Sequence, residues 1–118
     1  MSFWTHIVAS IDVDTCIECD TLKSDVAKML EAAPKITGSE GDADVFVNVL
    51  SGYNVFSWRN GNHRQYQTRV VITVVGDLRD RMRERTTKEW RAFKKFVEKS
   101  INEIGFIIRN CSCNIMGY

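Results

Sequence analysis

The chain has 118 residues, 44% apolar and 26% charged, which suits one globular domain large enough to fold without disulfides or metals. No stretch approaches the 18 apolar residues of a membrane span, and the opening MSFWTHIVASIDVDT alternates like a strand, with no basic segment ahead of an apolar core, so a cytoplasmic protein is expected. The net charge of +1 hides an asymmetry: residues 1–50 carry three lysines against nine carboxylates, and residues 51–118 carry thirteen Lys/Arg against six. That polarity suits an anionic partner, head-to-tail contact between copies, or neutralisation within one fold.

The first strand is expected over Trp4–Val13, with Ile7, Ala9, Ile11 and Val13 on one face and Trp4, His6, Ser10 and Asp12 on the other. A helix follows over Leu22–Ala33, where Leu22, Val26, Met29, Leu30 and Ala33 form an apolar stripe that Pro34 ends. The second strand is Asp44–Leu50. Beyond it SWRNGNHRQ reads as a hairpin tip, with Asn60-Gly61 as a two-residue type I′ turn. Counting inward from that turn opposes Trp58 to His63, Ser57 to Arg64, Val49 to Ile72 and Val47 to Val74, all in consistent facial alternation. A bulge at Ser51-Gly52 could shift the arm.

A second helix starts near Thr86, where Thr86 and Glu89 fit a capping box, and Trp90, Phe93, Phe96, Val97, Ile101 and Ile104 form its buried stripe up to Gly105. The last strand is Phe106–Ile115. The order strand, helix, strand, strand, helix, strand predicts a single α+β domain over residues 1–118. It would be ferredoxin-like, βαββαβ, with a four-stranded antiparallel sheet, two helices on one face and an extended hairpin between the second and third strands.

Three surfaces could carry function. The open sheet face would show Trp4, His6, Ser10, Asp12, Phe46, Asn48, Arg69, Thr73, Asn110, Ser112 and Asn114, which suits a wet sheet, a dimer face or a stacking platform. TRVVITVVG lacks the aromatic motif that an RNA-reading sheet of this topology carries on its third strand. The hairpin offers Tyr53, Trp58, Arg59, His63 and Arg64: guanidinium forks for phosphate and rings for stacking, or anchors for a subunit contact. A ribbon that packs on nothing in its own chain is barely stable, which favours an oligomer. The third surface is GDLRDRMRERTTKEW, whose Arg79, Arg81, Arg83 and Arg85 precede a helix N-terminus, opposed by internal pairing with Asp77, Asp80 and Glu84. TGSEG (residues 37–41) matches no phosphate-loop pattern.

Nothing points to catalysis. His6 and His63, the two histidines, fall far apart, and no nucleophile-elbow or zincin motif is present. The cysteines, C-x-x-C at Cys16 and Cys19 and C-x-C at Cys111 and Cys113, could make a tetrahedral zinc site. Their spacing equally makes Cys111 and Cys113 small core residues on one strand face, and no metal or cofactor is assigned.

The phrases WTHI, IDVD, ITGSEGDADVFVNV, YQTRVVITVVGDLRDR and EWRAFKKFVEK resemble a family of small proteins encoded by tailed phages and prophages. The resemblance implies a phage context in a host cytoplasm and no particular chemistry. Among small oligomeric phage proteins that bind nucleotides are anti-defence sponges, which sequester the signals of bacterial immunity. By that analogy of class, the expected function is non-enzymatic capture of a small phosphorylated, nucleotide-derived signal between subunits of a homo-oligomer. Arg59, Arg64, Arg69 and Arg79 or Arg81 would hold phosphates, with His63 nearby, and Trp58 or Tyr53 would stack on a base. The alternatives are a protein–protein inhibitor of a host defence enzyme and a nucleic-acid-binding accessory protein.

Overall fold

The structure is a computed structural model that describes residues 3–15, 21–58 and 61–117, with the backbone alone for residues 51–58 and 61–67. Its elements are β1 (Trp4–Thr15), α1 (Leu22–Leu30), β2 (Asp44–Trp58), β3 (Gly61–Arg79), α2 (Arg83–Glu103) and β4 (Ile107–Gly117). In β1 every second residue from Thr5 to Thr15 is buried, the two-residue period of a strand with one face in a core. Val70, Ile72, Val74 and Leu78 of β3 are buried on that same face. Leu22, Val26 and Leu30 of α1, and Trp90, Phe93, Val97 and Ile101 of α2, repeat at helical spacing and close the core over it.

The sheet order is β2-β3-β1-β4, with every neighbouring pair antiparallel, so β2 and β4 are the edges and β3 and β1 the centre. This is the expected α+β, βαββαβ arrangement of ferredoxin-like topology. The extended hairpin is present too. β3 pairs with β1 from Arg79 to Thr68, but with β2 from Val75 to Gly61. Among the described residues, the strand segments Gly52–Trp58 and Gly61–Gln67 therefore run on as a two-stranded ribbon, and the chain measures 67 × 24 × 19 Å.

Three local expectations change. The hairpin register is displaced by two residues: Val47 meets Ile72, Val49 meets Val70, Phe56 meets His63 and Trp58 meets Gly61, with no shift at Ser51-Gly52. A displacement of two keeps every side chain on its own face, so apolar alternation cannot separate the two registers. At the base of the observed register Gly76 opposes Ala43 so closely that a Cβ on Gly76 would sit 2.9 Å from the Ala43 Cα, a fit that only glycine allows there. Of the expected turn Asn60-Gly61, Gly61 instead begins β3 as the partner of Trp58, and Asn60 lies outside the described residues. Helix α1 stops at Leu30, and the chain continues in tight i to i+3 bonds, Ala32 N–H to Met29 O and Ala33 N–H to Leu30 O, because the residue before Pro34 must leave helical backbone. Helix α2 starts at Arg83, with Met82 as its cap residue and no side-chain cap, and so absorbs Thr86 into its buried face.

The close approach at Gly76 gives a direct check on the register. Gly76→Ala is expected to lower stability by about 1–3 kcal/mol, since a backbone atom must move. Gly41→Ala, with open space around the new methyl group, is expected to stay within about 0.5 kcal/mol. Thermal or urea unfolding of the two variants reads the difference.

Candidate functional site

Because the helices cover one sheet face, the even-numbered residues of β1 and their cross-strand partners lie on the other. The pairings form rungs across all four strands: Asp44–Val75–Val8–Asn114, then Phe46–Thr73–Ser10–Ser112, then Asn48–Val71–Asp12–Asn110. All the expected open-face residues are there. Val8, Val75, Leu50 and Met116 join them as exposed apolar residues, with Val8 55% and Phe46 52% accessible. Ser10 and Ser112 hydrogen-bond across the middle at 3.0 Å. The centre of this face is thus apolar and neutral-polar, with its charges toward the ends.

One end holds Trp4, His6, Asp77 and Arg79. The Arg79 guanidinium lies 6.0 Å from the Trp4 ring centroid and binds the Glu40 carboxylate. His6 Nδ1 is hydrogen-bonded to Asp77. A shallow hollow of about 700 Å³ opens beside Trp4, His6, Asp77 and Gly117. The His–Asp pair can orient an imidazole, but among the described residues no nucleophile is bonded to it: Ser10, on the same face, is four residues along β1, about 13 Å away, and bonds Ser112.

Behind this end the 37–42 loop is bound onto β3 and α2. Ser39 N–H donates to Arg79 O at 3.0 Å, and the Ser39 hydroxyl donates to Asp80, which takes the left-handed conformation at φ 58°. Glu89 accepts from the Thr37 N–H at 2.9 Å, from the Thr37 hydroxyl at 2.7 Å and from Arg85 Nε at 3.3 Å. Arg81 donates to Thr37 Oγ1 and to Asp80 O. The capping box therefore yields to a long-range clamp: Glu89 holds Thr37, and Thr86 is buried without a hydrogen bond for its hydroxyl. Arg79, Arg81 and Arg85 pair internally, mostly with partners from the 37–42 loop and α2 instead of the neighbouring Asp77 and Glu84. Only structure could reveal this, because Thr37 and Glu89 are 52 residues apart.

The other end of the face, at the ribbon's root, holds Arg69 beside Asp14. Arg69 Nε and Arg109 Nη1 lie 3.9 and 3.5 Å from the two Asp14 oxygens, an ion-paired triplet with one positive charge in excess. At 3.9 Å the Arg69 contact is no hydrogen bond, which is why the buried Asp14 Oδ1 lacks one. Tyr53 pairs with Tyr66 and Val55 with Arg64 along the ribbon backbone. The side chains of Tyr53, Trp58, His63 and Arg64 lie outside the described residues, as does the whole of Arg59. The expected site residues thus fall in three places. Arg69 sits ten residues along β3 from Arg79, about 33 Å, and the ribbon tip lies about 60 Å from Arg79. One chain does not bring them together.

On the helix side, a cleft of about 580 Å³ runs between α1 and the free edge of β2, lined by Lys23, Leu30, Lys35, Ala43, Val45 and Val47 among others. Val45 pairs with the buried Val74 and so lies on the core face, yet it is 40% exposed in this cleft. Cys111 and Cys113 oppose Ile11 and Ala9 on the core face but belong to the edge strand β4, so Cys111 is half-buried and Cys113 exposed. Partial burial raises both thiols above the ordinary range. Among the described residues no cluster of His, Cys, Asp or Glu could hold a metal ion, and no helix is long and apolar enough to cross a membrane. Cys16 and Cys19 lie outside the described residues.

Two outcomes are expected. Glu89→Ala should cost about 1.5–3 kcal/mol in chemical denaturation, because it leaves the Thr37 donors without a charged acceptor. Cys111 and Cys113 should alkylate with iodoacetamide more slowly than a free thiol at pH 8, since a raised pKa leaves less thiolate, and should approach the free rate only at higher pH. Peptide mapping over a pH series checks this.

No family model and no curated protein matches the chain. Among solved structures, a tripeptidase from Staphylococcus aureus aligns at 12% identity with a TM-score of 0.39, over 98% of this chain and 29% of that one. The chain spans less than a third of that protein, and a likeness at this level says nothing about activity.

Proposed function

We propose that the protein is a non-enzymatic binding protein that works as a homo-oligomer and captures a small phosphorylated, nucleotide-like ligand between subunits. The phage resemblance suggests the setting, in which the ligand is an immune signalling molecule of the host and the protein an anti-defence sponge. The observation that carries the reading is the ribbon. Residues Gly52–Trp58 and Gly61–Gln67 extend beyond the last described β1 pairing, and on them the sequence places Tyr53, Trp58, His63, Arg64 and Tyr66. Two strands alone are marginal in water, so a ribbon of this length calls for something to lie against. Arginine with tryptophan and tyrosine is the side-chain complement that takes a phosphate and a base together. Arg79 and Arg81 already have partners within the chain, so the leading phosphate contacts in this reading are Arg59 and Arg64, with Arg69 contributing through the triplet with Asp14 and Arg109 that keeps one positive charge in excess.

A second reading has its own observation. The open face presents Val8, Phe46, Leu50, Val75 and Met116, an exposed apolar surface of the kind that docks on another protein, here a host defence enzyme. A stoichiometric host protein in a pull-down would favour this reading over capture of a small molecule.

Isothermal titration against cyclic dinucleotides, cyclic trinucleotides and cyclic ADP-ribose isomers tests the first reading. It predicts saturable binding of at least one ligand, weakened tenfold or more by Arg64→Ala and by Trp58→Ala. Silence across the panel would refute it. Binding of nucleic acid that falls steeply with added salt, as phosphate-backbone contacts require, would point instead to the basic half of the chain.

A further inference from the structure

β2 is an edge strand of fifteen residues, Asp44–Trp58, and its only charged residue is its first. From Val45 to Trp58 it holds no lysine, no arginine, no carboxylate and no proline. Edge strands are normally protected from other chains by those residues, by shortness or by a bulge. β2 has none of these devices, for its pairing with β3 is continuous over all fifteen residues. Among the described residues nothing pairs with its outer side. The other edge, β4, is shorter at eleven residues, carries Arg109, and is bulged where it meets β1 at Asp12/Val13.

We infer that β2 pairs antiparallel with β2 of a second copy, about a two-fold axis passing near Ser51, so that each copy's ribbon lies along the edge of the other's four-stranded body. Three observations fix this arrangement. The first is length: β2 flanks the body as far as Ser51, the partner of Thr68, and runs on as ribbon for seven residues, Gly52–Trp58, so an antiparallel pairing centred on Ser51 matches those seven to the seven of Asp44–Leu50. The second is charge. Antiparallel pairing sets the two Asp44 carboxylates at opposite ends, about 48 Å apart, whereas a parallel in-register pairing would place them side by side. The third is the cleft. The core-side Val45 is left 40% exposed beside Leu30, Ala33 and Ala43, in the path that the second ribbon would follow. A strip about 50 Å long and about 10 Å deep gives roughly 500 Å² per copy, and the cleft adds to it, approaching the ~800 Å² per partner of a stable interface.

In this arrangement each two-stranded ribbon gains a third strand and the two sheets become one. It also carries the described end of one copy's ribbon, at Trp58 and Gly61, to the end of the other's body that bears Lys35, the 37–42 loop, Arg79 and Arg81. Residues about 60 Å apart in one chain would become neighbours between two. The inference rests on the self-association in the proposed function and is independent of its ligand.

The test uses register-specific variants of the full chain, measured by light scattering at tens of micromolar. The wild type is expected at twice the 13.5 kDa chain mass. Asn48 and Asn54 would face each other twice across the axis. Asn48→Lys with Asn54→Lys should therefore weaken association about tenfold or more, while Asn48→Lys with Asn54→Asp should restore it. Ser51→Cys should cross-link into a disulfide dimer under mild oxidation, and Ser57→Cys, about 40 Å from its counterpart, should not. A monomeric wild type would overturn the inference, as would a dimer indifferent to both lysine variants or one in which Ser51→Cys and Ser57→Cys cross-link alike. Titration with the nucleotide panel is a separate measurement. A dimer of this geometry that binds no nucleotide would leave the inference standing and remove the ligand reading.

Discussion

The rest of the structure depends on a mismatch of length between its two central strands. β3 has nineteen residues and β1 twelve, and they are aligned at the Arg79–Trp4 end, so all the excess of β3 falls at the other. Where β1 accompanies β3, Val70, Ile72 and Val74 meet Val13, Ile11 and Ala9, and both helices have a continuous apolar floor. Beyond Thr15–Thr68, among the described residues, β3 pairs with β2 alone. The core, the open face and the internal arginine network all belong to the first region. The aromatic and arginine side chains that suggested a ligand belong to the second.

That division explains why, among the described residues, no single pocket gathers the chemistry. The well-anchored end is electrostatically closed: Glu40 binds Arg79, Thr37 binds Arg81, Glu89 binds Thr37 and Asp77 binds His6. Surface pairs of this kind contribute little stability each, but as a network they fix the 37–42 loop against the end of β3 and the start of α2. The ribbon end is backbone without a third strand. Its long, uncharged and unprotected edge is a liability for a monomer and an asset for a symmetric dimer.

Much of the fold was legible in the sequence because burial on one face imposes periods that can be counted. Ile7, Ala9, Ile11 and Val13 identified β1 and its inner face, and Trp90, Phe93, Val97 and Ile101 identified α2. What was not legible shares one cause: it depends on partners far along the chain. Asn60-Gly61 looked like the turn, but a register two residues away satisfies the same faces, and in it Gly76 fits closely against Ala43, thirty-three residues away along the chain. Thr86 and Glu89 looked like a cap, but Glu89 is taken by Thr37 from another element. Cys111 and Cys113 were placed on the correct face, but their exposure follows from β4 being an edge, a property of the whole sheet. For the candidate site, the residue types were legible and their separation was not. Arg69, Arg79 and the tip read as one set along the chain because strand length hides distance.

The central claim is that the ribbon and the free edge of β2 are each other's partners in two copies. Amide hydrogen exchange across residues 44–58, measured over a hundredfold range of protein concentration, tests it most directly. The account predicts that amides of Ser51–Trp58 become protected as concentration rises, together with the outward-facing amides of Asp44–Leu50, while those of β1 stay protected throughout. A ribbon whose amides exchange rapidly at every concentration, or are protected equally at all of them, would contradict it.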